Sequence, residues 1–263
     1  AYFHAMTGWV FTAVVTAFTG IYFLSYNLSY GDPYFSTALN ASLFVMLVMV
    51  PILTMRSMAD ERRSRTDQLL LTAPVSVSAM VWAKYLAMLT VLAVPTAIAA
   101  LCPLIIRLYG TAFLAADYGT LLAFFLLGAV EIAVGEFISS LTDNQGLAAG
   151  IGIAVILLNY YSVSLSEYVS STAMGSAVAL IVLILALGLV IRYVTGNGNL
   201  AYWVSFVLVF AIVAVYLLDN TVLEGLLPQI MKTLSLFERF TGFVNGVFDM
   251  TAIVYYGSVI VFF

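Results

Sequence analysis

The sequence predicts an all-α, polytopic membrane helix bundle with about eight transmembrane spans, and two observations carry that prediction. First, 63% of the 263 residues are hydrophobic and 8% are charged, with nine Lys or Arg against thirteen Asp or Glu, and the mean hydropathy is +1.10. A soluble chain needs about 25% charged residues to cover its surface, so this surface faces lipid. Second, uncharged apolar runs of about 20 residues recur along the chain, each long enough to cross a hydrocarbon core of about 30 Å.

The runs fall, in order, at Gly8 to Leu28, Ala38 to Met55, Tyr85 to Ile106, Gly119 to Leu141, Gly146 to Leu165, Met174 to Ile191 and Leu200 to Leu218. The eighth, Thr251 to Phe263, meets no charged residue, so we expect further chain to complete it, and the start at Ala1 likewise reads as trimmed. The spans form one transmembrane domain over residues 1–263, with a charged cytoplasmic loop at 56–84 and interfacial helices on the outer face at 219–250. Arg56, Arg62, Arg63, Arg65 and Lys84 fall between spans two and three. Basic residues of short loops stay in the cytoplasm, which puts that loop and both termini inside. Tyr22, Phe23, Tyr26, Tyr30, Tyr34 and Phe35 then make an aromatic belt at the outer interface.

The same composition excludes several functions. A net charge of −4 with a pI near 4.8 leaves no basic face for nucleic acid. Cys102 is the single cysteine and His4 the single histidine, which rules out a disulfide scaffold and argues against a metal centre. Neither lysine sits in a phosphate-binding Gly-x-x-x-x-Gly-Lys loop, since Ala83 precedes Lys84 and Met231 precedes Lys232. An intramembrane enzyme fails on chemistry, because the sequence has no Gly-x-Gly-Asp, no Gly-x-Ser-x-Gly and no membrane histidine.

The loop between spans two and three is the most informative stretch. Thr66 is suited to cap a short helix with Asp67 in its first turn, Leu69, Leu70 and Leu71 give it an apolar face, and Pro74 ends it. Ser76 or Ser78 then caps the helix that enters span three. Such a helix, tied to two spans, is suited to carry force from a soluble partner; the plainer alternative is a loop that only fixes topology.

The run of Met55, Arg56, Ala59, Glu61, Arg62, Arg63, Thr66, Leu69, Leu70, Leu71, Thr72, Pro74, Val75 and Ser76, with Lys84 opening the next span, resembles the permease subunits of ABC-2 type transporters. Within them it is most similar to the gliding-motility-associated subfamily. Two further stretches support the likeness: Leu127, Gly128, Ala129, Gly135, Ile138, Ser139, Ser140, Leu141, Thr142, Asn144 and Gln145, and Leu234 to Phe237 with Arg239, Phe240, Gly246 and Asp249. The resemblance implies a bacterial inner-membrane permease without its own ATPase or cofactor, with ATP and Mg on separate cytosolic ABC ATPase subunits. It implies a second permease copy or paralogue as partner, and export becomes the expected direction of transport by alternating access. Asp60, Glu61, Arg62, Arg63, Arg65, Thr66, Leu69, Leu70 and Leu71 become the ATPase-coupling residues. The usual family core has six spans, whereas this sequence reads as eight, with an extra hairpin around Tyr193 to Leu200.

Glu131, Glu136 and Asn159 are polar residues that fall inside spans. A charge at the bilayer centre costs about 2.5–3.5 kcal/mol even on the lenient insertion scale. Glu131 lies near the midplane and Glu136 nearer the cytoplasmic end, and about 140° of helical rotation separates them, so they are not a catalytic pair. Glu131 is either a polar point on a substrate route or a packing contact, for example to Asn159; Glu136 is expected to partner Lys84 or Arg56. On the outer segment, Leu223, Leu226, Leu227, Ile230, Met231 and Leu234 recur at helical spacing, continued by Phe237, Phe240, Val244 and Val247, as in an external gate or a packing lid. Alternatives to ATP-driven transport are a membrane subunit that performs mechanical work or signalling, and a secondary transporter. The last normally needs several ionisable residues at mid-membrane, where only Glu131 stands clearly.

Overall fold

The computed structural model describes residues 6–66, 76–169, 171–195, 198–218 and 220–263. Among them the secondary structure is entirely helical. Helix α1, Met6–Tyr22, runs on as a π-helical stretch, Phe23–Ser29. It is followed by α2 (Phe35–Thr54), α3 (Ala59–Ser64), α4 (Val77–Ala99), α5 (Cys102–Tyr109), α6 (Leu114–Ser140) and α7 (Gln145–Tyr168). Then come α8 (Ala173–Thr195), α9 (Gly198–Leu218), a 3-10 turn at Asn220–Leu223, α10 (Leu226–Leu234), α11 (Leu236–Val244) and α12 (Met250–Phe262).

Among the described residues, five stretches are long and apolar enough to cross a membrane: Met6–Ser29, Phe35–Ser64, Val77–Tyr109, Leu114–Ser140 and Gln145–Tyr168. Shorter apolar helices at Ala173–Leu189, Tyr202–Leu218 and Met250–Phe262 coincide with the last three runs of the sequence. The protein is thus an all-α polytopic membrane bundle. Large apolar side chains such as Trp203, Phe206 and Phe210 stand exposed on these helices, as lipid rather than water requires.

Local chemistry sets the helix ends. Ser76 caps α4 by accepting from the Ala79 amide, Asn144 Oδ1 caps α7 by accepting from Gly146 at 2.9 Å, and Asp249 caps α12 by accepting from Thr251 at 2.8 Å. The third apolar run is not one unbroken helix. Pro103 at the start of α5 lacks the N–H that would continue the ladder, and the chain is interrupted at Ala100 and Leu101.

The described residues form two compact units, one within Ala1–Leu158 and Arg239–Phe263, the other Asn159–Glu238. In the first, α6 packs against α2, α4 and α12, while α1 packs against α2 and α4. Close approach depends on two glycines of α6. A Cβ on Gly135 would stand 2.3 Å from Thr54 Oγ1, and one on Gly128 would meet the ends of Met46 and Leu92. Small residues permit such contacts where no hydrophobic force drives helices together.

In the second unit, α8 and α9 pack together with the 3-10 turn, and Ala173, Ala177 and Leu223 form a small core. The segment from 220 to 250 is not one continuous amphipathic face. Ser235 is extended and its hydroxyl accepts from the Glu238 amide at 3.2 Å, which ends α10 and starts α11. Leu223, Leu227, Phe237 and Phe240 are buried, but Ile230, Leu234 and Val247 are exposed. Asp219 lies outside the described residues.

Candidate functional site

The charged loop after α2 folds back onto the helix ends. Ala59 is fully buried and opens α3, and Arg65 ends it in the left-handed conformation with φ 56°. Ser139 of α6 supplies what the start of α3 lacks. Its hydroxyl accepts from the amides of Met58 and Ala59, each at 3.1 Å, and donates to the Met55 carbonyl at 3.2 Å. Free amides at a helix start need such a partner, and here it comes from another span.

Four side-chain links complete the junction. Gln145 at the start of α7 donates to the Asp60 carboxylate. Lys84 of α4 forms an ion pair with Glu61 and donates to the Ser57 carbonyl at 3.1 Å. Ser57 in turn donates to Glu136 Oε1 of α6 at 3.4 Å. A turn of six helical residues is therefore fastened to α4, α6 and α7 by side chains and to α2 by the chain itself.

The two motifs quoted from the sequence, the charged run after Met55 and the Ser139 to Gln145 stretch, meet at this junction. Asp60 and Glu61 turn inward to Gln145 and Lys84. Arg56, Arg62, Arg63, Arg65 and Thr66 are exposed, and none of these arginines has an ion-pair partner among the described residues. Leu69, Leu70 and Leu71, with Asp67 and Pro74, lie outside the described residues, as does the helix expected over them.

The buried polar residues have different surroundings from those expected. Glu131 is fully buried, and neither of its carboxylate oxygens has a hydrogen-bond partner among the described residues. Asn159 is not its partner. The Asn159 amide instead holds the junction of α10 and α11, donating to the Leu234 carbonyl at 3.2 Å and accepting from the Leu236 amide at 2.9 Å. Glu136 bonds to Ser57 rather than forming an ion pair with Lys84 or Arg56, because Glu61 takes the Lys84 ammonium.

Two groups escaped the sequence reading. Asp117 is fully buried, and its Oδ1 accepts from the Phe35 amide at 2.9 Å, capping α2 from α6. Its position just ahead of an apolar run resembles any loop acid, so no local signal marked it. Ser139 was visible within a motif, but its bonds to residues some 80 positions away were not.

The described residues form a bundle of membrane-spanning helices with a fastened, arginine-bearing turn at one end. The family model described as ABC-2 family transporter protein matches residues 12–218, more than half of the chain, and the chain belongs to that family. No curated protein and no solved structure matches it.

Proposed function

We propose that this chain is the permease subunit of an ABC exporter, similar to the gliding-motility-associated permeases, and that the turn at Ala59–Ser64 is where separate cytosolic ATPase subunits couple to it. The observation that supports this reading is the division of charge at the junction. Asp60 and Glu61 are spent on internal links, whereas Arg62, Arg63 and Arg65 are presented outward on a turn fastened to four spans.

Such a turn acts as a lever. Force applied to α3 by a soluble partner passes to α4 through Lys84, to α6 through Ser139, to α7 through Gln145 and to α2 through the backbone. The chemistry of ATP and Mg resides on the partner, and this chain contributes the mechanical link. In this reading the arginine-bearing face and both termini are cytoplasmic, the membrane is a bacterial inner membrane, and two permease copies or paralogues flank the transport path. The outer segment, whose α10–α11 junction is held by Asn159, serves as the external gate.

Replacing both Arg62 and Arg63 by Glu tests the reading. The change leaves every internal link of the junction intact, so membrane insertion and thermal stability should persist while co-purification with the ATPase falls. Undiminished ATPase association and transport in that double variant would return the loop to a topology signal.

A further inference from the structure

The junction leaves Glu136 without an ion-pair partner among the described residues. Glu61 and Glu136 face the single ammonium of Lys84, and Lys84 is engaged with Glu61 and the Ser57 carbonyl. Arg56, the nearest other cation in sequence, is exposed and forms no ion pair among the described residues. Glu136 is 4% exposed, and among the described residues its carboxylate accepts from Ser57 at Oε1. Its carboxylate lines an open groove of about 130 Å³ between α4, α6 and α12.

The rest of that groove is aromatic and apolar, with Trp82, Tyr85, Ala133, Val261 and Phe263 among its lining residues. Trp82 and Tyr85 stand edge to face, 5.6 Å apart with an interplanar angle of 84°, so they present two differently directed ring surfaces. The Tyr85 hydroxyl donates to the Ala129 carbonyl, which fixes that ring, and Phe263 rests against Phe137 at 5.3 Å. Aromatic faces attract a cation through the ring quadrupole, and cages of such rings recognise quaternary ammonium groups. A buried carboxylate without a countercharge is costly, which favours a cation at the same place.

We infer that the groove bounded by Trp82, Tyr85, Phe263 and Glu136 is a binding site for an organic ammonium group, presented either by a phospholipid headgroup or by a free amine. The carboxylate supplies the charge and the rings supply the walls. This site is independent of the ATPase reading, and its test needs no ATPase, so the two can fail separately.

The test is binding of radiolabelled choline to the full chain in phosphatidylglycerol nanodiscs, counted by scintillation proximity against empty discs. The expected result is saturable binding whose half-saturation rises at least tenfold in Glu136→Gln, a variant that retains an acceptor for Ser57. Val261→Trp, which adds bulk at an exposed position of the groove wall and leaves Glu136 in place, should abolish it, and this keeps the test valid if Glu136→Gln folds poorly. Discs that also contain phosphatidylcholine and phosphatidylethanolamine identify the source. Loss of choline binding there assigns the site to lipid headgroups, and its persistence assigns it to free amines; both require the site. No saturable binding in phosphatidylglycerol discs, or binding unchanged in both folded variants, overturns the inference.

Discussion

Replacing Ser139 by alanine removes one hydroxyl and three hydrogen bonds. The amides of Met58 and Ala59 lose their acceptor, and the Met55 carbonyl loses a donor. Ser139 and Ala59 are fully buried, so water does not readily replace the missing oxygen. A buried donor left unsatisfied costs about 1–3 kcal/mol, and Met58 is only partly buried, so the two amides together are worth about 2–4 kcal/mol. At about 1.4 kcal/mol per decade, hydrogen exchange at Met58 and Ala59 should accelerate by about thirty-fold to a thousand-fold. The assay is hydrogen–deuterium exchange of the protein in nanodiscs, with peptides covering 55–66 compared with peptides from α1 and α12. The reasoning requires the effect to be local. Unchanged exchange at 55–66, or acceleration spread evenly over all helices, would refute the fastening role of Ser139.

Gly135→Ala should destabilise the bundle by about 1–3 kcal/mol through overpacking against stiff, β-branched Thr54, outweighing the roughly 1 kcal/mol gain in helix propensity. Adding Thr54→Ala should restore the thermal midpoint in detergent, and failure to do so places the strain elsewhere. Glu131→Met should raise thermal stability by about 1–3 kcal/mol, because it removes a buried carboxyl that has no hydrogen-bond partner among the described residues; a loss of stability would reveal a partner. The hydroxyl and amide of Thr251 donate to Asp249 and hold its carboxyl below the ordinary value of 3.8. A depressed folded-state pKa gives stability that is complete above the unfolded value and is lost as pH falls through the folded one. The difference in thermal midpoint between the protein and Asp249→Ala should therefore be present at about pH 6 and shrink as pH falls below about 3.8. A pH-independent difference would deny the cap its charge.

Most spans were legible in the sequence to within a few residues, the third with its break at Ala100 and Leu101 excepted, because in lipid a span needs an apolar run with its backbone bonded internally. Thus α7, α8, α9 and α12 begin and end close to the apolar runs that announced them. The turn at Ala59–Ser64 was legible as a charged site but not as a structure. Whether Glu61 faces outward or pairs with Lys84 depends on how closely α4 approaches α2, and periodicity carries no information about that distance. Glu131 and Asn159 show the same limit. Both were identifiable as polar residues in apolar runs, but pairing them was a guess about contact between helices, and Asn159 satisfies its amide on the backbone of Leu234 and Leu236 instead.

The most direct test of the central claim is purification of the chain from its native membrane in mild detergent, followed by mass spectrometry and an ATP hydrolysis assay. The account predicts a co-purifying ATPase with a Walker-type phosphate loop, ATP turnover that depends on it, and loss of both when Arg62 and Arg63 are changed to Glu in a protein of unchanged thermal stability. ATP turnover by the isolated chain, or an ATPase complex that survives the double charge reversal with full activity, would contradict it.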